Sequence, residues 1–221
     1  LGVKLFERLP RGVALTETGR RYFAELGPAW DVLLAATAAA KAVPRGNPLR
    51  VSVIPTFAAN WLLPRLAQAA SRASSLNVEL ETSPDFEDLA ARDDLDCAIR
   101  LGRGPWPGIR GQPLMPIEAF PVASPGLVPG DRLPALEDLS RYTLIGSNHQ
   151  PDFWPEWFRL SGVRFRAAHY RSFDNLQLVY EAAAARLGIA IGLGPLVQPY
   201  LAGGRLVRVW PDRVRLSRAF H

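Results

Sequence analysis

The chain has 221 residues, enough for one large domain or two small ones, and 48% of them are hydrophobic, which suits a sizeable core. Its single cysteine excludes an intrachain disulfide framework and a cysteine-based zinc site, and no apolar run in the sequence is long enough to cross a bilayer. The net charge is +5, with an excess of arginine and lysine in residues 1–21 and 205–221. A basic arm on a nearly neutral body favours a nucleic-acid contact at one end, although charge alone decides little.

The first nineteen residues are the most informative segment. Residues 1–6 are predicted to end a short helix, residues 8–12 to form a basic hairpin tip, and residues 13–15 to form a strand. A proline and a glycine between two apolar runs indicate a turn, because proline presets φ and glycine accepts a positive φ. Thr16 is predicted to cap the helix that follows.

Residues 16–42 are predicted to form an alanine-rich helix with one apolar stripe, which includes Tyr22, Leu26 and Trp30. A stripe of this kind pairs with a second copy or packs on the chain's own body. Residues 43–48 contain two prolines and a glycine, so we expect a hinge there.

Residues 49–221 alternate predicted strands and helices in two groups. The first group has strands at 49–54, 77–82 and 95–101 and helices at 57–71 and 88–91. The second has strands at 118–123, 143–146, 166–172 and 189–193 and helices at 136–142, 152–160 and 175–186. This alternation predicts an α/β fold with parallel strands, divided into subdomain I at about 49–117 and subdomain II at about 118–210. Cys97 lies in a buried-strand pattern and is predicted to be a small core side chain.

The pattern F-x-R-x-x-R-G-V-x-L-T-x-x-G at residues 6–19 resembles the wing and linker-helix entry of the LysR-type transcriptional regulators. The resemblance implies that residues 1–15 are the remnant of a winged helix-turn-helix, with Arg8 and Arg11 contacting DNA. It also implies that residues 16–42 are a linker helix that pairs with its copy. The implied partners are operator DNA, bound through the full-length protein, and further copies of the same protein, in a homodimer or homotetramer. The implied location is the cytoplasm. Since no helix-turn-helix fits before residue 1, we expect a truncated chain.

Four further segments are similar to one branch of this family, which includes activators of glycine cleavage and of β-lactamase expression. They are residues 51–66 with their W-L-L-P-R-L ending, 94–104, 120–125 and 182–191. The resemblance implies a type 2 periplasmic-binding-protein-like effector domain of two α/β subdomains. In the family a strand and a helix complete the first subdomain, and both are expected to be missing beyond His221.

Ligands of open α/β folds bind outside the carboxyl ends of the strands. The residues expected at such a cleft are Thr56, Phe57, Arg100, Leu101, Arg103, Ser147 and Asn175. Arginine offers a bidentate fork to a carboxylate or phosphate, so the predicted effector is a small anionic or amino-acid-like metabolite. Thr56 could equally be a helix N-cap, the two arginines could be surface charges, and Asn175 or Asp174 is expected to cap a helix. No cofactor and no metal are predicted.

Three other interpretations of the sequence exist. An enzyme is disfavoured because the sequence has no G-x-S-x-G elbow, no phosphate-binding loop, and no metal-ligand spacing among its three histidines. A solute-binding protein of the same fold is disfavoured, because such a protein would not carry the basic hairpin. A non-functional truncated remnant stays open.

Overall fold

The computed structural model describes residues 3–9, 12–24, 48–71, 77–83, 92–104, 106, 108–163 and 169–221. The chain divides into two compact units, Leu1–Asn47 and Pro48–His221. Within the described residues, no helix is long and apolar enough to cross a membrane.

The described part of the first unit is a hairpin followed by a helix. Strands β1 (Phe6–Leu9) and β2 (Gly12–Leu15) pair antiparallel, and helix α1 follows over residues 17–24. The expected helix end at residues 1–6 is wrong for Phe6, which pairs with Leu15 in the hairpin. The predicted cap is confirmed, because the Thr16 hydroxyl accepts the Gly19 N–H at 3.0 Å and donates to the Lys4 carbonyl at 2.8 Å.

Gly19 sets how closely α1 packs against the residue before β1. A Cβ atom at this position would lie 2.0 Å from the Leu5 carbonyl oxygen. Real Cβ atoms do not approach backbone oxygens so closely, so any side chain here would push the helix away. Glycine therefore joins the helix and the hairpin into one packed piece.

Several predictions fall outside the described residues. They are Arg11, the linker helix beyond residue 24, the hinge up to residue 47, the short helix at 88–91 and the start of the strand predicted at 166–172. The side chain of Arg8 also lies outside what the structure describes.

The second unit contains two sheets. The first sheet is parallel, as predicted, with β3 (Leu49–Val53) between β4 (Val78–Thr82) and β5 (Cys97–Ile99). Between β3 and β4, the chain forms helix α2 (Pro55–Phe57), a π-helical stretch (Ala58–Leu62) and helix α3 (Leu63–Ala70). Cys97 is exposed, so its predicted place in the core is wrong.

The second sheet is mixed. Its strands are β6 (Leu101–Gly102), β7 (Met115–Ala123), β8 (Leu144–Ser147), β9 (Tyr170–Phe173), β10 (Ile189–Leu193), β11 (Val207–Arg208) and β12 (Val214–Phe220). They lie in the order β6-β12-β7-β10-β8-β9, with β11 beside β7. The parallel part is β9-β8-β10, and β7 runs antiparallel to β10, β11 and β12.

Three α-helices and two short 3-10 helices accompany the second sheet in the described residues. They are α4 (Phe153–Leu160), α5 (Leu176–Ala184), α6 (Gly194–Ala202), and the 3-10 turns Pro129–Asp131 and Leu136–Arg141. The sequence does not predict helix α6, because Gly194-Pro195 has the composition of a strand end. Proline is equally suited to the first turn of a helix, where its missing N–H costs nothing.

Strand β12 corrects a second prediction. Its last residues pair with β6, and the His221 N–H donates to the Arg100 carbonyl at 2.9 Å. A strand that returns to the first part of the unit is therefore present, and the expectation that it is missing is wrong. Its register shifts between Arg215 and Ala219, which marks a bulge.

The core is formed largely by the second sheet and its helices. The largest fully buried side chains there include Trp157, Tyr180 and Phe120. Phe57 joins this core from the helix after β3, since its ring lies 4.5 Å from that of Phe220. The two sheets thus share apolar packing next to the cleft described below.

Candidate functional site

A cleft lies where two pairs of parallel strands end, one pair in each sheet. The chain leaves β3, β5, β8 and β9 at this point, and the turns after these strands provide most of the wall. The cleft has an empty volume of about 470 Å³, which includes the part open to solvent. Its lining residues are Ile54, Pro55, Thr56, Arg100, Leu101, Ser147, His149, Gln150, Asp174, Asn175 and Leu176. Parallel strands of open α/β sheets place ligands at their carboxyl ends, so this is the position expected for a binding site.

Thr56 contributes a buried hydroxyl to the first wall. Its exposed fraction is 1%, and it is the second residue of α2. The residue at the N-cap position is Ile54, whose side chain makes no capping hydrogen bond. The alternative that Thr56 is only an N-cap is therefore wrong, and its hydroxyl is placed where a ligand could use it.

Arg100 supplies a guanidinium to the same wall. The residue is 3% exposed, and it donates from Nη2 to the Ser52 hydroxyl at 2.7 Å and from Nη1 to the Ile99 carbonyl at 3.2 Å. These bonds hold the group at the junction of β3 and β5. The interpretation of Arg100 as a surface charge is wrong, because the residue is almost completely buried.

The opposite wall carries Ser147 and Asn175. Asn175 caps α5, because its Oδ1 accepts the Leu178 N–H at 3.0 Å. With that oxygen engaged, the side-chain amide can offer a ligand its NH₂ donors. Ser147 is 2% exposed and its hydroxyl donates to the Asp174 carbonyl at 3.3 Å.

The mouth of the cleft has an acidic and a basic side chain. His149 Nε2 lies 3.0 Å from Asp174 Oδ1, and both side chains are reached by solvent. Donors therefore dominate the interior, whereas a carboxylate stands at the rim. This distribution suits a ligand with an anionic end inside and a polar or cationic end outside.

Two of the predicted residues do not line the cleft. Phe57 is fully buried and stacks near Trp61 and Phe220, because successive residues of a helix point about 100° apart and Thr56 takes the cleft side. The side chain of Arg103 is 63% exposed and lies 4.0 Å from Glu156. The remaining predicted residues, Thr56, Arg100, Leu101, Ser147 and Asn175, are brought together.

Among the polar residues that line the cleft, His149 and Gln150 have no counterpart in the sequence prediction. Both lie in the loop between β8 and α4, and a loop has no periodicity from which to infer which side chains turn inward. The only available signal is their distance of a few residues from Ser147, at the end of a strand.

A buried ionic network adjoins the cleft through Gln150. Arg218 on β12 donates from Nη1 to Gln150 Oε1 at 2.6 Å and from Nη2 to Glu156 Oε2 at 2.9 Å, and it also pairs with Asp152. Glu156 further accepts the Ser217 N–H at 2.8 Å. Burial opposes the ionised form of Glu156, but the hydrogen bonds from Ser217 and the charge of Arg218 outweigh it, so the pKa of Glu156 lies below its ordinary value.

The fold and the cleft agree with a comparison of the sequence with protein families. A family model described as the LysR substrate binding domain matches residues 43–221. The chain belongs to the LysR family of transcriptional regulators. LysR regulators are not enzymes, and the matched part is their effector-binding domain. This membership also argues against a transporter's solute-binding protein.

Named LysR regulators are similar to this chain over nearly its whole length. The chain is 34% identical over 223 residues to the glycine cleavage system transcriptional activator of Escherichia coli strain K12, covering 100% of this chain and 72% of that protein. It is 32% identical over 216 residues to the transcriptional activator AmpR of Pseudomonas aeruginosa, covering 97% of this chain and 72% of that protein. The resemblance to this branch is thereby confirmed.

Solved LysR structures share the fold. The effector domain of AmpR from Pseudomonas aeruginosa superposes with a TM-score of 0.69 at 29% identity, covering 79% of this chain and 83% of that one. CrgA of Neisseria meningitidis, a LysR-type regulator, has a TM-score of 0.64 over 100% of this chain and 77% of that one. At 22% identity the second likeness concerns the fold alone.

Proposed function

We propose that the cleft binds a small anionic or amino-acid-like effector, with the anionic group between Thr56 and Arg100 and the other end at Asn175. The observation that carries this proposal is the set of buried donors at the strand ends. Arg100 is 3% and Thr56 1% exposed, and both line one cleft. A buried cation next to a hydroxyl donor selects a carboxylate or phosphate group.

The acidic rim narrows the ligand class. Asp174 lies at the mouth, paired with His149, and a ligand ammonium there could replace the imidazole as the partner of this carboxylate. An α-amino acid carries both charges, because its ammonium and its carboxylate are bonded to the same carbon atom. A simple carboxylate would use the inner donors alone and leave the Asp174–His149 pair intact.

Thermal melting of the chain with a panel of amino acids and small carboxylates tests the proposal. We expect at least one compound to raise the melting temperature in proportion to the logarithm of its concentration, because a ligand of the native state stabilises it by mass action. The variant Thr56→Val keeps the side-chain shape and removes the hydroxyl, so it should lose most of that stabilisation. Thr82→Val, at an exposed position of β4, is the matched control.

Two results would overturn this assignment. The first is that no member of the panel stabilises the wild-type chain. The second is that Thr56→Val responds to the same compound with unchanged affinity, which would place the ligand elsewhere. Replacing Asp174 with Asn separates the ligand classes, since it should weaken an amino acid and leave a plain carboxylate unaffected.

We infer further that the hairpin of β1 and β2 is the wing of a DNA-binding domain and that Arg8 and Arg11 contact phosphate or the minor groove. What supports this is the antiparallel hairpin packed against a capped helix, within a chain of the LysR family. Such contacts supply affinity more than sequence specificity.

Fluorescence anisotropy with a labelled DNA duplex at several salt concentrations tests the wing. Replacing Arg8 and Arg11 with Ala should weaken binding. It should also reduce the steepness of the plot of log association constant against log salt concentration by about two, because each arginine would neutralise one phosphate. The double variant Arg110→Ala and Arg132→Ala removes the same charge from exposed positions of the second unit and is the control. An equal change in slope in both double variants would contradict the wing assignment.

The assembly that suits a regulator of this kind is a homodimer or homotetramer in the cytoplasm. Helix α3 supports association, because none of its residues is buried and Leu63 is 50% exposed. Sedimentation velocity over a range of concentrations distinguishes these two states from a monomer.

A further inference from the structure

A second cavity lies beside strand β7 and the start of helix α6, and it contains two arginines. Its empty volume is about 570 Å³, which includes the part open to solvent. It is lined by Pro116, Glu118, Phe120, Gly194, Pro195, Gln198, Arg208 and Arg213. None of these residues lines the cleft proposed for the effector.

The floor of the cavity is the buried ring of Phe120, which is 2% exposed. The guanidinium carbon of Arg208 lies 4.2 Å from the centre of this ring, and that of Arg213 lies 5.9 Å from it. Pro116 and Pro195 add apolar surface at the sides. A ligand in this cavity would thus meet an apolar floor and a guanidinium on the same side.

Arg208 has hydrogen-bonding capacity that its neighbours do not use. Its Nε atom is buried, and no acceptor among the described residues is within hydrogen-bond distance of it. Burial and the nearby Arg213 both lower the pKa of Arg208, with Glu118 acting in the opposite direction. The buried Nε–H gains nothing from its surroundings, but Arg208 is only partly buried and lines the cavity, so the remaining N–H groups of its guanidinium are where an anionic acceptor would bind.

The charges of the cavity leave a net positive field. Arg213 donates to Glu118 Oε2 at 3.0 Å, so that carboxylate already has a partner, while the charge of Arg208 is not matched by a second carboxylate in the lining. The first turn of α6, a helix of nine residues, forms another part of the wall and adds its positive end.

We propose that this cavity is a second binding site, for a small carboxylate that carries an apolar or aromatic group. The carboxylate would accept from Arg208, and the apolar group would lie against Phe120 and the prolines. The site does not depend on the effector cleft, because the two share no residue.

Benzoate is a suitable probe, with benzamide as its neutral analogue and acetate and inorganic phosphate as anions without an aromatic group. The Arg208 Nε–H is observed by proton–nitrogen correlation NMR as each compound is added to the chain. We expect benzoate to shift this signal saturably, benzamide to leave it unmoved, and acetate and phosphate to bind more weakly.

Two variants give effects of opposite sign. Arg208→Gln should weaken benzoate by about tenfold or more, because the guanidinium that would hold its carboxylate in two charge-assisted hydrogen bonds is removed. Glu118→Gln should strengthen it by several-fold, since the competing carboxylate is removed and Arg213 is released. Glu118 is half exposed, so this second variant keeps the fold and remains informative if the first does not fold.

Matched controls separate this site from the cleft and from general charge effects. Arg141→Gln removes an arginine that is 77% exposed and pairs with Asp138, and it should leave benzoate binding unchanged. Thr56→Val, in the cleft, should also leave the Arg208 signal and its titration unchanged.

The proposal is overturned if the Arg208 Nε–H does not respond to benzoate, or if Glu118→Gln binds it no more tightly than the wild type. Phosphate or acetate binding as tightly as benzoate would overturn the aromatic carboxylate as the ligand class and replace it with a simple inorganic anion.

Discussion

The two sheets of the second unit differ in the number of buried residues in the helices beside them. Helix α3, beside the first sheet, has no buried residue, whereas α4 and α5, beside the second sheet, bury five residues each. Among the strands, β10 in the interior of the second sheet is buried throughout, whereas β4 at the edge of the first sheet has no buried residue. The second sheet is therefore expected to carry most of the stability, and the first sheet to hold cleft residues on a thinner support.

The largest expected effect comes from breaking the buried network that ties α4 to β12. Glu156→Gln removes the charge that faces Arg218, whose side chain is 7% exposed, while the side chain of Glu156 is 3% exposed. We expect a loss of about 3 kcal/mol in the free energy of unfolding, the lower end for a broken buried ion pair because Asp152 remains. Urea unfolding measures it, with the exposed Glu137→Gln as control.

The same network predicts a dependence on pH. Burial opposes ionisation of Asp152 and Glu156, but their hydrogen bonds and Arg218 prevail, so each pKa is lower in the folded chain than in the unfolded one. Their contribution is present above the unfolded pKa and is lost as the pH falls through the folded pKa. Glu156→Gln should therefore show a shallower loss of stability in acid, and an unchanged acid slope would contradict the ionised pair.

The next largest effect is expected from replacing leucine with alanine, once in a helix beside each sheet. Leu196→Ala in α6 removes a fully buried side chain and should cost about 2–5 kcal/mol, because it leaves a cavity. Leu63→Ala in α3, where the side chain is 50% exposed, should change the free energy by about 0.5 kcal/mol or less. Similar costs at the two sites would refute the unequal support of the two sheets.

A smaller effect is expected from one hydroxyl in the core of the second sheet. Tyr180 is fully buried, and its hydroxyl accepts the Leu193 N–H at 3.0 Å. Tyr180→Phe leaves that N–H without its acceptor, which should cost about 1–3 kcal/mol in chemical denaturation. Tyr142→Phe is the control, since its hydroxyl has no hydrogen-bond partner in the described part of the chain.

The smallest effect lies at the edge of the first sheet, where Arg92 pairs with Asp94 at 2.7 Å. The hydrogen bond from Arg92 lowers the pKa of Asp94 from 3.8 to about 2. Arg92→Gln should return this pKa towards its ordinary value in a carbon-13 NMR titration. Asp94 is exposed and Arg92 is only partly buried, and ion pairs near the surface contribute little, so the unfolding midpoint should stay where it is. A clear drop would show that the first sheet depends on this arginine, which also pairs with Glu81.

The cleft can be predicted from the sequence only as far as the strand ends allow. Thr56, Arg100 and Ser147 follow buried strands, and parallel strands bring their carboxyl ends to one edge, so the predicted place of these three agrees with the structure. The prediction fails for Phe57 because its neighbour in the helix takes the cleft side. His149 is reached only through the loop after β8, whose inward turn has no sequence signal.

Strand β12 shows why part of the fold escapes prediction. Its inward positions are Leu216, Arg218 and Phe220, all buried, and they alternate with the exposed Ser217 and the half-buried Ala219. An arginine in an inward position hides the alternation, because charged residues are taken as solvent-facing. The burial of Arg218 is explained by its ion pairs with Asp152 and Glu156, at the start of α4.

The close approach at Gly19 has a mechanical consequence for the first unit. Because α1 and the hairpin are packed without room for a side chain, a rotation of this helix about its axis would turn the hairpin with it. The pair of Leu9 and Gly12 lies three residues beyond the pair of Phe6 and Leu15, and at the rise of a strand this makes a lever about 10 Å long. A small twist of α1 would therefore move the Leu9 end of the hairpin by several ångströms.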